Sequence, residues 1–341
     1  MRLRARIVIF AVVSALCLAA AGGYMVYAAG RDRNLVSSDG GPVDEAGLAA
    51  VLRDPHIVFR STARNDGYGL LAVAPGSDPN GRRVFTALAC DRVDAAGSRG
   101  TCLSVDNALG GTTVTIFDDR FRSIHEISAP GVRSRTRVAP DGSVAGYTSF
   151  VSGHSYAQGA FSTRTVIVDT DTGEEFGNLE RFQTFRDDEA FDAPDFNFWG
   201  LTFTDDPNRF YATLGTGGET YLVEGDVAAR RMDVVAGGVE CPSLSPDGTH
   251  IAFKQRVDSG FGPVSWSIAV MDLASSEVQT LAEDRNVDDQ VAWLDDSHVM
   301  YGLPRDETRS PVTDVWSLPA DGSGEPALLI EGAWSPRVVE P

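Results

Sequence analysis

Leu244–Phe253 reads LSPDGTHIAF, and this stretch decides the fold. Pro246 presets φ for a tight turn, the Asp247 side chain can bond the backbone two residues on, and Gly248 accepts a positive φ. Ile251–Phe253 then follows as a short strand with an aromatic at its end. A turn of this kind between two β-rich runs marks a hairpin.

The same arrangement recurs along the chain. Equivalent turns stand at Pro140-Asp141-Gly142, Asp205-Asp206-Pro207 and Asp295-Asp296-Ser297, followed by Val144–Tyr147, Arg209–Tyr211 and Val299–Tyr301. Ile57–Phe59 has the same form, and Thr101–Val105 is a weaker sixth copy. A further strand follows in every unit: Leu70–Pro75, Val114–Asp118, Val166–Asp169, Tyr221–Asp226, Ile268–Asp272 and Val315–Pro319. Short fourth strands such as Val278–Leu281 and Ala327–Ile330 close most units. Six four-stranded units over residues 55–341 give a period in the high forties, the size of a propeller blade.

The two ends of this region complete one another. The chain enters at His56 with what is the second strand of a blade elsewhere. It ends on Trp334–Val339, which matches the first strands at Arg137–Pro140 and Ser243–Pro246. A ring closed by pairing these ends leaves no exposed sheet edges. The expectation is an all-β, six-bladed β-propeller with a C-terminal strand closing the first blade, preceded by a transmembrane helix.

The segments LSPDGTHIAF and VAPDGSVAGY (Val138–Tyr147) resemble the repeat of TolB-like β-propellers, the WD40-like group with Ser-Pro-Asp-Gly in the first turn. DVWSLPADGSGEPALL (Asp314–Leu329) is similar to a blade ending of that family. The resemblance covers about 280 residues. It implies the fold and says little of function, since such blades occur in translocation proteins, peptidase accessory domains and sugar-processing enzymes. Eukaryotic WD40 repeats carry a G-H…W-D signature that this sequence lacks, and TolB has a separate N-terminal domain where this chain has a short tether.

The N-terminus suggests where the propeller works. Arg2, Arg4 and Arg6 precede Ile7–Ala29, an uncharged stretch of 23 residues. About 20 apolar residues span a bilayer and basic flanks stay in the cytoplasm, so residues 1–6 are expected inside and the rest outside a bacterial membrane. Cleavage after Ala19-Ala20-Ala21 is the alternative and gives a secreted chain. Residues 30–54 read as a tether with a short helix through Val51. Outside the cytoplasm, Cys90 and Cys102, near enough to face each other across a hairpin, are expected to form a disulfide. Two reduced buried thiols are the alternative.

Composition narrows the partner. The 341 residues carry 48 acidic and 29 basic side chains, a net charge of −19, which excludes nucleic-acid binding. Lys254 is the only lysine. Histidines number five, and His56, His250 and His298 occupy equivalent strand starts, which leaves His125 and His154, too few for a multi-histidine zinc site. There is no G-x-S-x-G elbow, P-loop or dinucleotide fingerprint, so no catalytic residue, cofactor or metal is assigned. Gly215–Gly218 needs to be no more than a turn.

Tight turns fall on one face of such a propeller: Pro140–Gly142, Pro246–Gly248, Asp171–Gly173 and Ala320–Gly324. Long segments fall on the other: Val151–Ser162, Gln183–Asn197, Gln255–Val264 and Pro304–Val312. Long loops in compact domains are often functional, so the second face is expected to bind. At the channel mouth on that face lie Arg133, Arg135, Trp199, Glu240, Asp288, Asp289 and Gln290. They read either as a polar ligand site or as ion pairs between blades. Arg164 with Phe161, and His154 with Tyr156, sit on a hairpin suited to a partner. Arg186–Asp195 collects five carboxylates, a cation site or a solvated loop, and lacks EF-hand spacing. The leading expectation is a non-catalytic, monomeric module for an envelope protein or polymer. The rival is a hydrolase or lyase using Asp288, Asp289 and Glu240, with or without Ca²⁺.

Overall fold

A computed structural model describes residues 13, 14, 17, 43–105, 111–151, 162–257, 264–306 and 311–341. Two units separate, Met1–Asp39 and Gly40–Pro341. In the first, Val13, Ser14 and Cys17 are helical. Among the described residues no helix is long and apolar enough to cross a membrane. The expected span Ile7–Ala29 lies almost wholly outside them. So do His154, Tyr156 and Phe161, and the interiors of three of the four long loops.

The second unit opens with α1 (Glu45–Val51), capped by Asp44, whose Oδ1 accepts from Gly47 N at 2.9 Å. Arg82 holds the same aspartate at 2.7 Å, and Leu48 is buried among Val58, Leu71 and Val339. The end of the tether is therefore docked on the first blade.

Strands then follow in six sheets. Blade I takes β1 (His56–Ser61), β2 (Leu70–Pro75) and β3 (Val84–Ala89). Blade II is β4 (Arg92–Ala96) to β7 (Ser123–Ala129), with β5 (Arg99–Val105) and β6 (Thr112–Asp118) between. Blade III is β8 (Val132–Val138), β9 (Val144–Val151), β10 (Ser162–Asp169) and β11 (Glu175–Asn178). After β12 (Gln183–Arg186) and β13 (Glu189–Ala190), blade IV runs through β14 (Asn197–Phe203), β15 (Arg209–Thr216), β16 (Glu219–Asp226) and β17 (Arg231–Gly237). Blade V is β18 (Glu240–Leu244), β19 (His250–Val257), β20 (Ser265–Asp272) and β21 (Val278–Thr280). Blade VI is β22 (Ala292–Asp295), β23 (His298–Pro304), β24 (Thr313–Pro319) and β25 (Ala327–Ile330).

The ring closes as the sequence anticipates. The last strand, β26 (Ala333–Val339), pairs antiparallel with β1, Val339 opposite His56 and Val338 opposite Ile57. The middle strands are apolar on both sides because every sheet is covered by two neighbours, and β2 (LLAVAP) is buried at all but its last residue. The repeated turns share one bond. Asp141 accepts from Ser143 N, Asp206 from Asn208 N, Asp247 from Thr249 N and Asp295 from Ser297 N, all at 2.8–3.0 Å. These aspartates are turn parts, and their conformational work explains the repeat.

The inner strands β14, β18 and β26 carry bulges at left-handed residues, Gly200, Cys241 and Ser335. Glycine is needed at position 200, where a Cβ would lie 2.5 Å from Cys241 Cα. The Cys90–Cys102 disulfide is formed, bridging the end of β3 to β5.

One expectation is corrected. Gln183–Asn197 is not a plain loop: β12 adds to the outer edge of blade IV, parallel to β17, with Thr184 opposite Met232. Asp187 and Asp188, both with positive φ, turn the chain back so that Arg186 faces Glu189 in β13. Blade IV thus has six strands.

Candidate functional site

Arg135, Glu240, Asp288, Asp289 and Gln290 come together with Arg92 and Lys254 at the channel mouth, while Arg133 and Trp199 are engaged elsewhere. Arg92 of blade II meets Asp289 at 2.6 Å. Lys254 of blade V meets Asp288 at 2.6 Å and Glu240 at 3.9 Å, and lies 4.2 Å from the Trp266 ring centre. Arg135 of blade III reaches Asp288 at 3.8 Å, and Gln290 donates to the carbonyls of Leu201 and Pro242. Asp289 is buried and also accepts from Gly302 N at 3.1 Å. Burial would raise Asp288, but Lys254, Arg135 and Arg92 outweigh it and hold its carboxyl below the ordinary value. Arg133 pairs with Asp91 at 2.5 Å. Trp199 packs over Gly215, where a Cβ would meet the indole at 2.5 Å.

Deeper in the channel a second layer spans the ring. Arg137 reaches Asp94 of blade II at 3.2 Å, Ser243 of blade V at 3.2 Å and the Val291 carbonyl leading into blade VI at 2.7 Å. Arg337 stands 3.5 Å from the same Asp94. Below this plug, on the tight-turn face, a cavity of about 680 Å³ opens between Asp205, Asp206, Tyr211, Asp296 and Glu340.

A different concavity lies on the long-loop face, between blade III and the strands added to blade IV. Its volume is about 600 Å³, and Phe182, Phe185, Phe191, Phe196 and Phe198 line it. Phe191 packs edge-on against Phe196 at 5.1 Å and Phe196 against Phe198 at 5.9 Å. Glu180 forms part of the wall, placed by a 3₁₀ turn (Leu179–Arg181) that Asn178 caps. Its carboxylate accepts from Thr165 N at 3.2 Å and Thr163 Oγ1 at 3.3 Å. Desolvation by burial outweighs these bonds and pushes the carboxyl up to about 7. Thr184, 5% exposed in the same wall, has a buried hydroxyl without a partner.

Of the expected site residues, Arg164 belongs to this cleft. It is engaged by Glu175 at 2.8 Å and by the Tyr147 hydroxyl at 3.1 Å. The carboxylates of Arg186–Asp195 do not converge. Asp195 takes Thr216 Oγ1 at 2.6 Å and Gly217 N at 2.7 Å, and these bonds lower it, while Asp188 faces Arg231 at 3.9 Å. Among the described residues no group of three His, Cys, Asp or Glu is placed to hold a metal ion. Glu180, Phe182, Phe185 and Phe191 escaped the sequence reading. The available signal was four phenylalanines between 182 and 196, dense for a segment read as an acidic loop.

These features define a six-bladed β-propeller with a plugged channel and a side cleft. The fold is similar to that of TolB from Acinetobacter baumannii, at 15% identity and a TM-score of 0.55, over 84% of this chain and 67% of that one. It is also similar to a chain of a nidogen/laminin complex, at 9% identity and a TM-score of 0.55, over 83% of this chain and 98% of that one. At such identities the likeness is one of fold. No family model matches the sequence. No curated protein matches it either.

Proposed function

We propose that this chain is a membrane-tethered, extracytoplasmic propeller that serves as a non-catalytic binding module for an envelope protein or polymer, received on its long-loop face. The observation that carries the reading is the cleft between blades III and IV. It is concave, half apolar and lined by aromatic rings, with one carboxyl poised near neutrality, the combination expected of a ligand site. The helix α1 packs on the tight-turn side of the first blade, against Val58, Leu71 and Val339, away from this cleft.

One observation weighs against Asp288 as the general acid of a hydrolase or lyase. A general acid needs a carboxyl that keeps its proton near neutral pH. Lys254, Arg135 and Arg92 hold the Asp288 carboxyl below the ordinary carboxylate value instead.

Capture from detergent-solubilised envelope tests the module. Full-length chain should retain a partner that Phe191→Ala with Phe196→Ala loses and that Asp205→Asn with Asp206→Asn, on the other face, keeps. Equal loss from both variants, or retention by the cleft variant, would refute the assignment of the face.

A further inference from the structure

We infer that the cleft between blades III and IV recognises a basic side chain of a partner protein, the cation lying among Phe191, Phe196 and Phe198 and pairing with Glu180. This rests on the module reading above and gives its ligand a chemistry.

Three observations carry it. First, the rings of this cleft already host cations. The Arg231 guanidinium stands 3.8 Å from the Phe185 ring centre, and that of Arg186 lies 6.0 Å from Phe191. An aromatic face attracts an ammonium or guanidinium most strongly where water is excluded. Second, the carboxyls in the wall are Glu180 and Asp192, while the guanidinium of Arg164 is matched by the bidentate Glu175 at 2.8 and 3.0 Å. The other cations nearby are Arg181, exposed in the wall, and Arg231 and Arg186, held on the Phe185 and Phe191 rings. Third, a net charge of −19 draws cationic partners and repels acidic ones. Polysaccharide is the competing occupant, since rings can stack on sugars, but a neutral glycan makes no ion pair with Glu180.

Glu180 is faced by Thr163, Arg164 and Thr165 from β10, and Asn178 from β11 bonds its backbone N–H; Arg181 and Asp192 line the same cleft, and Arg186 lies on its Phe191 ring. Burial pushes its carboxyl up to about 7 when the cleft is empty, so an entering cation meets an ionised partner more often at pH 8 than at pH 6. Binding therefore releases a proton, and apparent affinity rises about tenfold between those pH values.

The test is a ligand-observed titration of the full chain in detergent with Nα-acetyl-lysine amide, and with Nα-acetyl-norleucine amide as the uncharged control. The lysine probe is expected to bind saturably, at least tenfold tighter than norleucine and about tenfold tighter at pH 8 than at pH 6. Glu180→Gln, which keeps the shape, should weaken it at least tenfold and flatten the pH profile. Phe196→Leu should weaken it several-fold while leaving the profile intact. Equal binding of both probes, an unchanged Glu180→Gln, or affinity rising toward low pH overturns the inference. The two readings separate cleanly. A captured partner that needs the phenylalanines but ignores Glu180→Gln leaves the module standing without its cation. One that ignores the whole cleft removes both.

Discussion

Arg137 and Asp94 meet at 3.2 Å inside the channel, their side chains 7% and 0% exposed. Asp94 also accepts from Val138 N at 2.7 Å, and Arg137 goes on to Ser243 and the Val291 carbonyl. One guanidinium thus ties blades II, III, V and VI, and the channel is a fastening between blades.

Breaking that fastening should be expensive. Arg137→Met leaves Asp94 buried with Arg337 as its remaining cation, and removing one partner of a buried pair costs about 3–5 kcal/mol. Urea unfolding of Arg137→Met, Asp94→Asn and the double variant measures it. The double variant is expected to lose clearly less than the sum of the single losses, as coupled residues do.

The disulfide should contribute measurably. Cys90 and Cys102 are 12 residues apart and both buried, in the core shared by blades I and II. Closing a loop of that length stabilises by roughly 2–4 kcal/mol. Cys90→Ser with Cys102→Ser should therefore melt several degrees lower, and added reductant should lower the melting temperature of the native chain but not that of the variant.

Glu180 should give stability a pH dependence of the less common sign. Its folded value, about 7, lies above the ordinary glutamate value of 4.5, so the folded state holds the proton more tightly than the unfolded chain. The stabilisation is complete below about 4.5 and is lost as pH rises through 7, by about 1–3 kcal/mol. Melting curves from pH 5 to pH 8 check this: native chain should lose stability relative to Glu180→Gln across that window.

Blade number and closure were legible because their signals are local. The Asp-turn bond is written within four residues at Pro140–Ser143 and again at Pro246–Thr249, and Trp334–Val339 repeats the first-strand pattern. The channel-mouth group was legible as a list, without its partners. Arg92 and Lys254, from blades II and V, complete it and lie far away in sequence. Arg137 was read only as part of a first strand and Asp94 was not singled out, because their pairing joins different blades. The added strand β12 was illegible for another reason. Its partner β17 lies some 48 residues on and pairs in parallel, so no hairpin turn announces it. The cleft depends on that addition, and so does the setting of Glu180.

Photo-crosslinking tests the central claim most directly. A photoreactive residue at Gln183, exposed at the cleft, or at Glu325, exposed on the tight-turn side, is placed in the full chain and irradiated in intact envelope. The account predicts a discrete protein adduct from position 183 that Glu180→Gln diminishes, with none from position 325. Adducts from 325 and none from 183 would contradict it.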